Sequence, residues 1–367
     1  MKIDRIQVIG ISAGMKKPLR IAKMVREKSS SMIVKIHTDE GIQGFGEATF
    51  AHFFAGETLE SARGVIEKHL APVLTGRDPN NILLRMDEMD RIIHGNPFAK
   101  AAVETALWDI KGKVLGVPVY DLLGGRRRNK IPVCQSVGYG EAKDMIDEAL
   151  ERISGGFDTL KIYCGRESPR ADLDRLRQIR SAVGDGISLY VEVNQRWSFK
   201  NAQWLMPRLE ELNVLFVEQP IHHLLHRELK VLRETSPVPI ALDEGVFSPA
   251  DVISAKQRGL GDIMNIYVLK AGGIHNAKTA LSICEAAGLD AFVGSFNELS
   301  VSTAAGVQVA ATLGELPYPC YLVGPMGYEE DLLKQPLEIR EGHLYVPDRP
   351  GLGIDVDEHI LEKLREW

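Results

Sequence analysis

The sequence has few cysteines and no long apolar run. Its four cysteines, Cys134, Cys164, Cys284 and Cys320, lie far apart and include no C-x-x-C pair, so neither a zinc site nor a disulfide framework is expected. No run of eighteen apolar residues occurs, and the first residues lack the apolar core of a signal peptide. We therefore expect no membrane span and no secretion, and we place the protein in a reducing cytoplasm.

A strong excess of positive charge is also missing. The chain has 44 Lys and Arg against 50 Asp and Glu, a net charge of −6, which argues against a nucleic-acid partner. The stretch from Met15 to Lys28 is a local exception, with six cations and one acid. Such a run is usually a solvated loop. If it folds over an active site, its cations, Arg20 among them, would attract an anionic substrate.

Phosphate-binding motifs are absent as well. The chain contains neither G-x-G-x-x-G nor G-x-x-x-x-G-K-[ST], which disfavours an open, doubly wound nucleotide-binding sheet.

Three short apolar runs each end in an acidic residue. Leu-Tyr-Val precedes Glu192, Leu-Phe-Val precedes Glu218, and Ile-Ala-Leu precedes Asp243 and Glu244, at steps of 26 and 25 residues. This step fits successive βα units of a parallel sheet, whose strands end on one face. Three carboxylates brought together would repel one another unless a hard divalent cation held them. The pattern predicts a Mg²⁺ site; the alternative is three unrelated strand-end acids.

Strand and helix patterns alternate from Ile131 onward. Eight strands and seven helices in about 190 residues indicate a (β/α)₇β barrel, with its active site at the carboxyl ends of the strands. The predicted helices centre near Ile146, Leu176, Leu205, Leu229, Val252, Ala280 and Ala305. The predicted strands are Ile131–Val137, Thr159–Tyr163, Ser188–Val193, Val214–Val217, Pro239–Leu242, Ile263–Ile266, Asp290–Val293 and Cys320–Val323.

The first part of the chain has a different pattern. Residues 2–11, 31–38 and 43–47 predict a small antiparallel sheet, and residues 58–70, 79–93 and 99–115 predict three amphipathic helices. Residues 337–346 predict a strand that returns to this first domain.

Several polar side chains follow the predicted barrel strands. Lys161 and Tyr163 are two residues apart, so they point the same way, and a lysine inside a barrel is seldom only structural because an unpaired buried ammonium is costly. For Tyr163, packing alone is the competing interpretation. Tyr267 ends strand six, roughly opposite strand two. Lys270 precedes a glycine pair that could expose amides to an anion, and Glu298 could pair with a cation or bind a substrate.

These motifs, taken together, resemble the mandelate racemase and muconate lactonising enzyme branch of the enolase superfamily. The resemblance implies an α+β capping domain formed by residues 1–125 with a returning segment, 326–367, and a modified TIM barrel over 126–325. It also implies one Mg²⁺ per subunit on Glu192, Glu218 and Asp243, with Glu244 as the alternative third ligand. The matching motifs are Gly44-Phe-Gly-Glu47, Ala106-Leu-Trp-Asp109, Leu122-Leu-Gly-Gly125, Val191-Glu-Val-Asn194-Gln, Val217-Glu-Gln-Pro220, Asp243-Glu244, Lys270-Ala-Gly-Gly273 and Ala286-Ala-Gly-Leu289.

The departures from this family pattern concern the bases. The first metal acid is usually Asp and here is Glu192. The second lysine of the strand-two motif is Tyr163, the strand-six lysine is Tyr267, and the histidine position after strand seven is Gly294. Some acid-sugar dehydratases of the superfamily also have tyrosine in the strand-two motif.

The expected function is therefore Mg²⁺-dependent removal of the proton next to a carboxylate. Our first interpretation is dehydration of a hydroxy acid or acid sugar, with Lys161 and Tyr163 on one face of the substrate and Tyr267 on the other. The alternatives are a racemase, epimerase or cycloisomerase of a carboxylic acid, or a non-catalytic acid-binding member. Tyr163 could serve as a base near neutral pH only if the cationic cluster lowered its pKa. We expect Asn194, Lys270, Glu298 and Arg20 to contact a small carboxylate substrate, and the chain to form a homo-oligomer.

Overall fold

The computed structural model describes residues 1–21, 23–50 and 52–367, without the side chain of Phe53. Its first part contains the predicted antiparallel sheet, in the order β1-β4-β5. The basic run predicted as a loop instead forms a hairpin of β2 and β3. The strands are β1 (Ile3–Ile11), β2 (Gly14–Arg20), β3 (Val25–Lys28), β4 (Ser31–Thr38) and β5 (Gln43–Thr49).

A group of helices covers this sheet, and the longest of them, α5, packs directly on β5. A Cβ atom on Gly46 would lie 1.8 Å from the Ala102 carbonyl oxygen, and one on Gly44 would lie 2.2 Å from that of Ala106. Glycine at both positions therefore permits the close approach of helix and strand. The helices are α1 (His52–Ala55), α2 (Leu59–Val65), a π-helical turn (Ile66–Leu70), α3 (Ala71–Leu74), α4 (Ile82–Ile92), α5 (Pro97–Leu115) and α6 (Val119–Leu122).

The barrel follows as a seven-stranded parallel sheet in sequential order. The predicted eighth strand is present only as a bridge, yet it closes the barrel: the Cys134 amide donates to the Cys320 carbonyl at 3.1 Å, and the Tyr321 amide donates to the Val293 carbonyl at 2.9 Å. The barrel strands are β7 (Gln135–Val137), β8 (Thr159–Tyr163), β9 (Ser188–Glu192), β10 (Val214–Glu218), β11 (Ile240–Leu242), β12 (Ile263–Ile266) and β13 (Asp290–Val293).

Helices cover the outside of the barrel. All of them except the short α12 lie at predicted positions, and together with the strands they confirm a modified TIM barrel with a separate sheet-containing cap. Within the described ranges, no helix combines the length and apolar character that crossing a membrane requires. The helices are α7 (Ala142–Ser154), α8 (Pro169–Val183), α9 (Phe199–Glu210), α10 (His226–Thr235), α11 (Pro249–Arg258), α12 (Val268–Ala271), α13 (Ile274–Ala287) and α14 (Ser300–Ala310).

The C-terminal segment touches both parts of the molecule. Its strands β14 (Ile339–Arg340) and β15 (His343–Tyr345) form a sheet with β6 (Lys130–Pro132), and a 3₁₀ turn (Gly324–Gly327) and α15 (Glu358–Lys363) complete it. The Glu366 amide donates to the Gly10 carbonyl at 2.9 Å, so the tail also reaches β1. Domain boundaries at residues 125 and 325 stay predictions.

Two buried carboxylates connect the cap to the barrel. Glu47, on β5, accepts hydrogen bonds from the Leu299 amide at 2.8 Å and the Ser302 amide at 2.9 Å, at the start of α14. Glu104, on α5, accepts them from the Ile274 amide at 2.8 Å and the His275 amide at 2.9 Å, at the start of α13. Amides at a helix N-terminus have no partner within the helix, so these acids fix the cap over the barrel.

Glu104 gives the stability of the protein a pH dependence. Burial raises its pKa from the ordinary 4.5 to about 7, so its contribution to stability is fully present below pH 4.5 and is lost as the pH rises through about 7. We expect the free energy of unfolding, measured with urea between about pH 5 and pH 8, to fall by roughly 1–3 kcal/mol more in the wild type than in Glu104→Gln. If the free energy of unfolding changed equally with pH in both proteins, Glu104 would not be the source of the pH dependence.

Candidate active site

Three acids meet at the carboxyl ends of neighbouring barrel strands. Glu192 ends β9, Glu218 ends β10 and Asp243 follows β11. Glu192 and Glu218 face each other in the parallel register, and one carboxylate oxygen from each of the three acids lies within 4.8 Å of the others. Their exposed fractions are 1%, 0% and 2%. The parallel sheet thus assembles, away from water, the residues that the sequence places 25 or 26 positions apart.

Neighbouring groups fix the two glutamates. The Asn194 amide donates to Glu192 Oε1 at 2.8 Å, and Asn265 Nδ2 donates to Glu218 Oε1 at 2.6 Å. Lys161 Nζ lies between their other oxygens, 2.9 Å from Glu192 Oε2 and 3.0 Å from Glu218 Oε2. Burial alone would lower the pKa of Lys161, but the two glutamates raise it well above its ordinary value. Lys161 is therefore a fixed positive charge.

Asp243 is held from two sides. Lys270 Nζ donates to its Oδ1 at 2.6 Å and to its carbonyl oxygen at 2.8 Å, and the Tyr267 hydroxyl donates to its Oδ2 at 2.7 Å. Gln219 Oε1 accepts from the Asp243 amide at 3.0 Å. Gln219 itself has a left-handed φ of 38°, a strained conformation of the kind found at functional sites.

The three acids fit a divalent cation. Burial and the Glu218 charge raise the pKa of Glu192 well above its usual range, although Lys161 opposes the shift, as expected for buried carboxylates that face one another. Oxygen ligands of this kind suit a hard cation such as Mg²⁺, and hydrogen bonds that orient the ligands are typical of metal sites.

Glu244 lies beside Lys23. Its Oε1 lies 3.6 Å from Lys23 Nζ, and burial raises its pKa to about 7, with Asp243 adding to the shift and Lys23 opposing it. Among the described residues, the three-acid group that could hold a cation contains Asp243 and not Glu244. Asp243 is therefore the better candidate for the third ligand.

A small cavity of about 50 Å³ opens beside the acids. Its floor comes from the barrel, where Lys161, Tyr163, Glu192, Asn194, Asp243 and Tyr267 line it. Its roof comes from the β2–β3 hairpin and α1, and its side from the loop after β13. The cap thus closes the strand ends into a single chamber, which contains the two tyrosines and Lys161.

Both tyrosines are protonated in this environment. Burial raises the pKa of Tyr163 well above its ordinary value; Tyr321 adds to the shift and Lys161 opposes it. Burial likewise raises the pKa of Tyr267, with Asp243 adding to the shift. This direction is opposite to the lowering that Tyr163 would need in order to act as a base near neutral pH, and burial is its main cause. Lys270 Nζ lies 4.3 Å from the Tyr267 ring centroid, so a cation neighbours this tyrosine.

Three other residues that were predicted to contact the substrate do not line this cavity. Arg20 is exposed and does not line the cavity, because its side chain lies on the outer face of the hairpin. Lys270 is buried against Asp243 rather than facing the cavity. Glu298 is buried, and its Oε2 has no hydrogen-bond partner among the described residues.

Three functional candidates were not singled out from the sequence. Asn265 and Gln219 hold Glu218 and Asp243, and Arg26 lines the cavity. Arg26 is the one buried residue of β3, so recognising a strand in the basic run would have drawn attention to it. For Asn265, the signal was its position in the strand-six segment that ends at Tyr267.

Comparison with known proteins identifies the family. Residues 5–124 match the mandelate racemase / muconate lactonizing enzyme N-terminal domain, and residues 144–360 match the enolase C-terminal domain-like family. The chain belongs to the mandelate racemase and muconate lactonizing enzyme branch of the enolase superfamily. It is therefore an enzyme of the lyase or isomerase type, in a family that generally depends on Mg²⁺.

Individual relatives of this family are isomerases. A chloromuconate cycloisomerase of Cupriavidus necator is 35% identical, with 100% of this chain and 99% of the relative covered. An N-succinyl-L-Arg/Lys racemase of Bacillus cereus is 33% identical, with 99% and 98% covered. The crystal structure of a muconate lactonizing enzyme from Pseudomonas fluorescens superposes with a TM-score of 0.97 at 31% identity, covering 100% of this chain and 99% of that chain. These comparisons favour the isomerase alternative over acid-sugar dehydration.

Proposed function

We propose that this enzyme isomerises a small carboxylic acid by moving a proton at the carbon next to the carboxylate, and that the reaction is racemisation or epimerisation. The observation that carries the proposal is that Tyr163 and Tyr267, from strands β8 and β12, line one cavity with Lys161. A racemase needs a proton-transfer group on each face of the carbon, and we assign these two roles to Tyr163 and Tyr267.

The acids and Lys161 would prepare the substrate for this step. A Mg²⁺ held by Glu192, Glu218 and Asp243 would stabilise the negative charge that develops on the substrate carboxylate. Lys161, fixed by two of these acids, adds a second positive charge beside the cavity. The buried site excludes water, which strengthens these interactions.

The roles of the tyrosines follow from the charges around them. A tyrosine that accepts a proton must first be deprotonated, and a bound divalent cation would lower its pKa in the same direction as Lys161 does. The tyrosine on the other face stays protonated and returns a proton there. Inversion results when removal and return occur on opposite faces.

Cycloisomerisation is a second candidate. It needs a proton donor rather than a base, because closing a ring onto an unsaturated acid leaves a carbon that must be protonated. Burial keeps Tyr163 protonated, so Tyr163 would suit this role, and the similarity to a chloromuconate cycloisomerase supports it.

Deuterium exchange tests the proposal. The enzyme with Mg²⁺ is incubated in D₂O with a panel of chiral carboxylic acids, including N-acylamino acids. We expect deuterium at the α-carbon together with inversion, and no loss or gain of atoms other than this exchange. NMR detects the deuterium, and chiral chromatography detects the inversion. Glu218→Gln, which lacks one carboxylate of the cluster, serves as the inactive control.

Two results would contradict racemisation. A 2-keto acid one water lighter than its substrate, trapped as a semicarbazone, would show that the enzyme is a dehydratase. Loss of diene absorbance from cis,cis-muconate, with lactone formation and no inversion of any chiral acid, would establish cycloisomerisation instead.

A further inference from the structure

Gly294 directly follows β13, which pairs with β12 at one end of the parallel sheet. Its amide donates a hydrogen bond to the Ile266 carbonyl oxygen at 3.1 Å, so it continues the pairing of these two strands. Its φ lies outside the left-handed region. The backbone conformation therefore does not require glycine here, and the reason for glycine lies in the space around it.

Two side chains of the β12 segment fill the space that a Cβ atom on Gly294 would need. An added Cβ would lie 2.1 Å from Asn265 Oδ1 and 2.4 Å from Tyr267 Cε1. Both distances are far shorter than the roughly 3.5–4.0 Å at which non-bonded heavy atoms pack. Even a methyl group would have to displace both side chains. The absence of a side chain at Gly294 is therefore a condition for the observed positions of Asn265 and Tyr267.

Asn265 cannot move away at low cost. Its side chain is fully buried, and Nδ2 donates to Glu218 Oε1 at 2.6 Å. Its Oδ1, the atom that a Cβ on Gly294 would meet first, has no hydrogen-bond partner among the described residues. The bond to Glu218 therefore fixes the amide. Moving the amide would weaken or break that bond and leave a buried carboxylate oxygen without its donor.

The Tyr267 ring is held on more sides. Its hydroxyl donates to Asp243 Oδ2 at 2.7 Å, and its ring packs edge to face against Phe296 with centroids 5.0 Å apart. Lys270 Nζ lies over the ring, 4.3 Å from its centroid, and also binds Asp243. Because the ring is rigid, displacing its edge would carry the hydroxyl away from Asp243.

We propose that Gly294 is a positioning residue of the acid cluster, because it leaves room for Asn265 and Tyr267. Through these two side chains it orients Glu218 and Asp243, two of the three candidate Mg²⁺ ligands. The inference rests on the metal site of the proposed function, but not on proton transfer by the tyrosines. Losing a hydrogen bond that orients a metal ligand typically weakens metal binding by about 10- to 100-fold.

Gly294→Ala tests the proposal by two measurements. Calorimetric titration with Mg²⁺ should give an affinity about 10- to 100-fold lower than that of the wild type. The melting temperature of the metal-free protein should fall by roughly 2–5 °C, because the added methyl group overpacks this site. Gly186→Ala is the control. Apart from chain neighbours, no heavy atom of the described residues lies within 4 Å of a Cβ at Gly186, so both values should match the wild type.

A second background identifies the side chains through which Gly294 acts. The double variant Asn265→Ala, Tyr267→Ala lacks the atoms that the new Cβ would meet. Adding Gly294→Ala to it should lower the melting temperature by less than about 1 °C. An equal fall in both backgrounds would overturn the proposal. If Gly294→Ala alone does not fold, recovery of the fold in the double variant supports the proposal, and failure to fold there too would overturn it.

The Mg²⁺ titration separates positioning from packing. A lower melting temperature with unchanged Mg²⁺ affinity would make Gly294 a packing residue and overturn its role at the cluster. A wild type that binds no Mg²⁺ would overturn this role together with the metal site. The isomerase activity fails separately: weaker Mg²⁺ binding by Gly294→Ala, without deuterium exchange by the wild type, would reject the activity and keep the positioning role. Exchange by the wild type, with unchanged Mg²⁺ affinity in Gly294→Ala, would reject only the positioning role.

Discussion

Glu218→Gln is expected to abolish turnover and to weaken Mg²⁺ binding by more than about 100-fold. Glu218 is fully buried between Lys161 and Asn265, and it contributes one of the three clustered carboxylates. Glutamine keeps the size of the side chain but removes the charge that would balance the cation, so the barrel should remain folded. Calorimetric titration with Mg²⁺ and circular dichroism measure the two effects.

Glu244→Gln is the matched control for this experiment. The same change of charge is made beside the cluster, at a carboxylate that faces Lys23, so Mg²⁺ affinity should change by less than about 10-fold. If Glu244→Gln loses the metal and Asp243→Asn keeps it, the third ligand must be reassigned. Wild-type activity that survives exhaustive chelation would exclude the metal site altogether.

Tyr163→Phe is expected to lower kcat by about 10²- to 10⁴-fold, the range for loss of an acid–base group. Phenylalanine keeps the ring in its buried position, so the free energy of unfolding should change by less than about 1 kcal/mol. The D₂O experiment gives the sharper readout. For a racemase, the variant should lose wash-in of deuterium from one enantiomer more than from the other, because Tyr163 serves one face.

Tyr321→Phe is the control for the tyrosine experiment. Its ring centroid lies 4.7 Å from Lys161 Nζ and its hydroxyl donates to Ser136 Oγ at 2.9 Å, but it does not line the cavity. It should keep near wild-type kcat. If Tyr163→Phe does so as well, Tyr163 is a packing residue and the proton-transfer group must be sought at Lys161 or Tyr267.

Tyr267→Phe should differ from both variants. It removes the hydrogen bond to Asp243 Oδ2, so we expect weaker Mg²⁺ binding as well as a lower kcat. Saturating Mg²⁺ separates the two contributions. Because Tyr267 contacts Asp243, comparing Tyr267→Phe with Tyr163→Phe is informative about the metal site.

The sequence by itself determined the barrel and the position of its acids. Hydrophobic runs and glycine turns repeat with the period of βα units, and parallel strands end on one face, so Glu192, Glu218 and Asp243 had to converge. Local periodicity sufficed because each unit is formed mainly by neighbouring residues. Local periodicity was less accurate for the predicted eighth strand, which is only a bridge. The Cys320 segment pairs with the chain just before the first strand of the sheet and with its last strand.

Only the tertiary structure decided which charges act together. Arg20 and Arg26 belong to the same basic run, but one is exposed and the other lines the cavity, because the hairpin turns one face towards the barrel. Lys270, expected at the substrate, instead holds Asp243. Burial raises the pKa of Tyr163, and Lys161 opposes the shift. Burial and charge pairing arise from contacts between segments far apart in the chain, which no local pattern encodes.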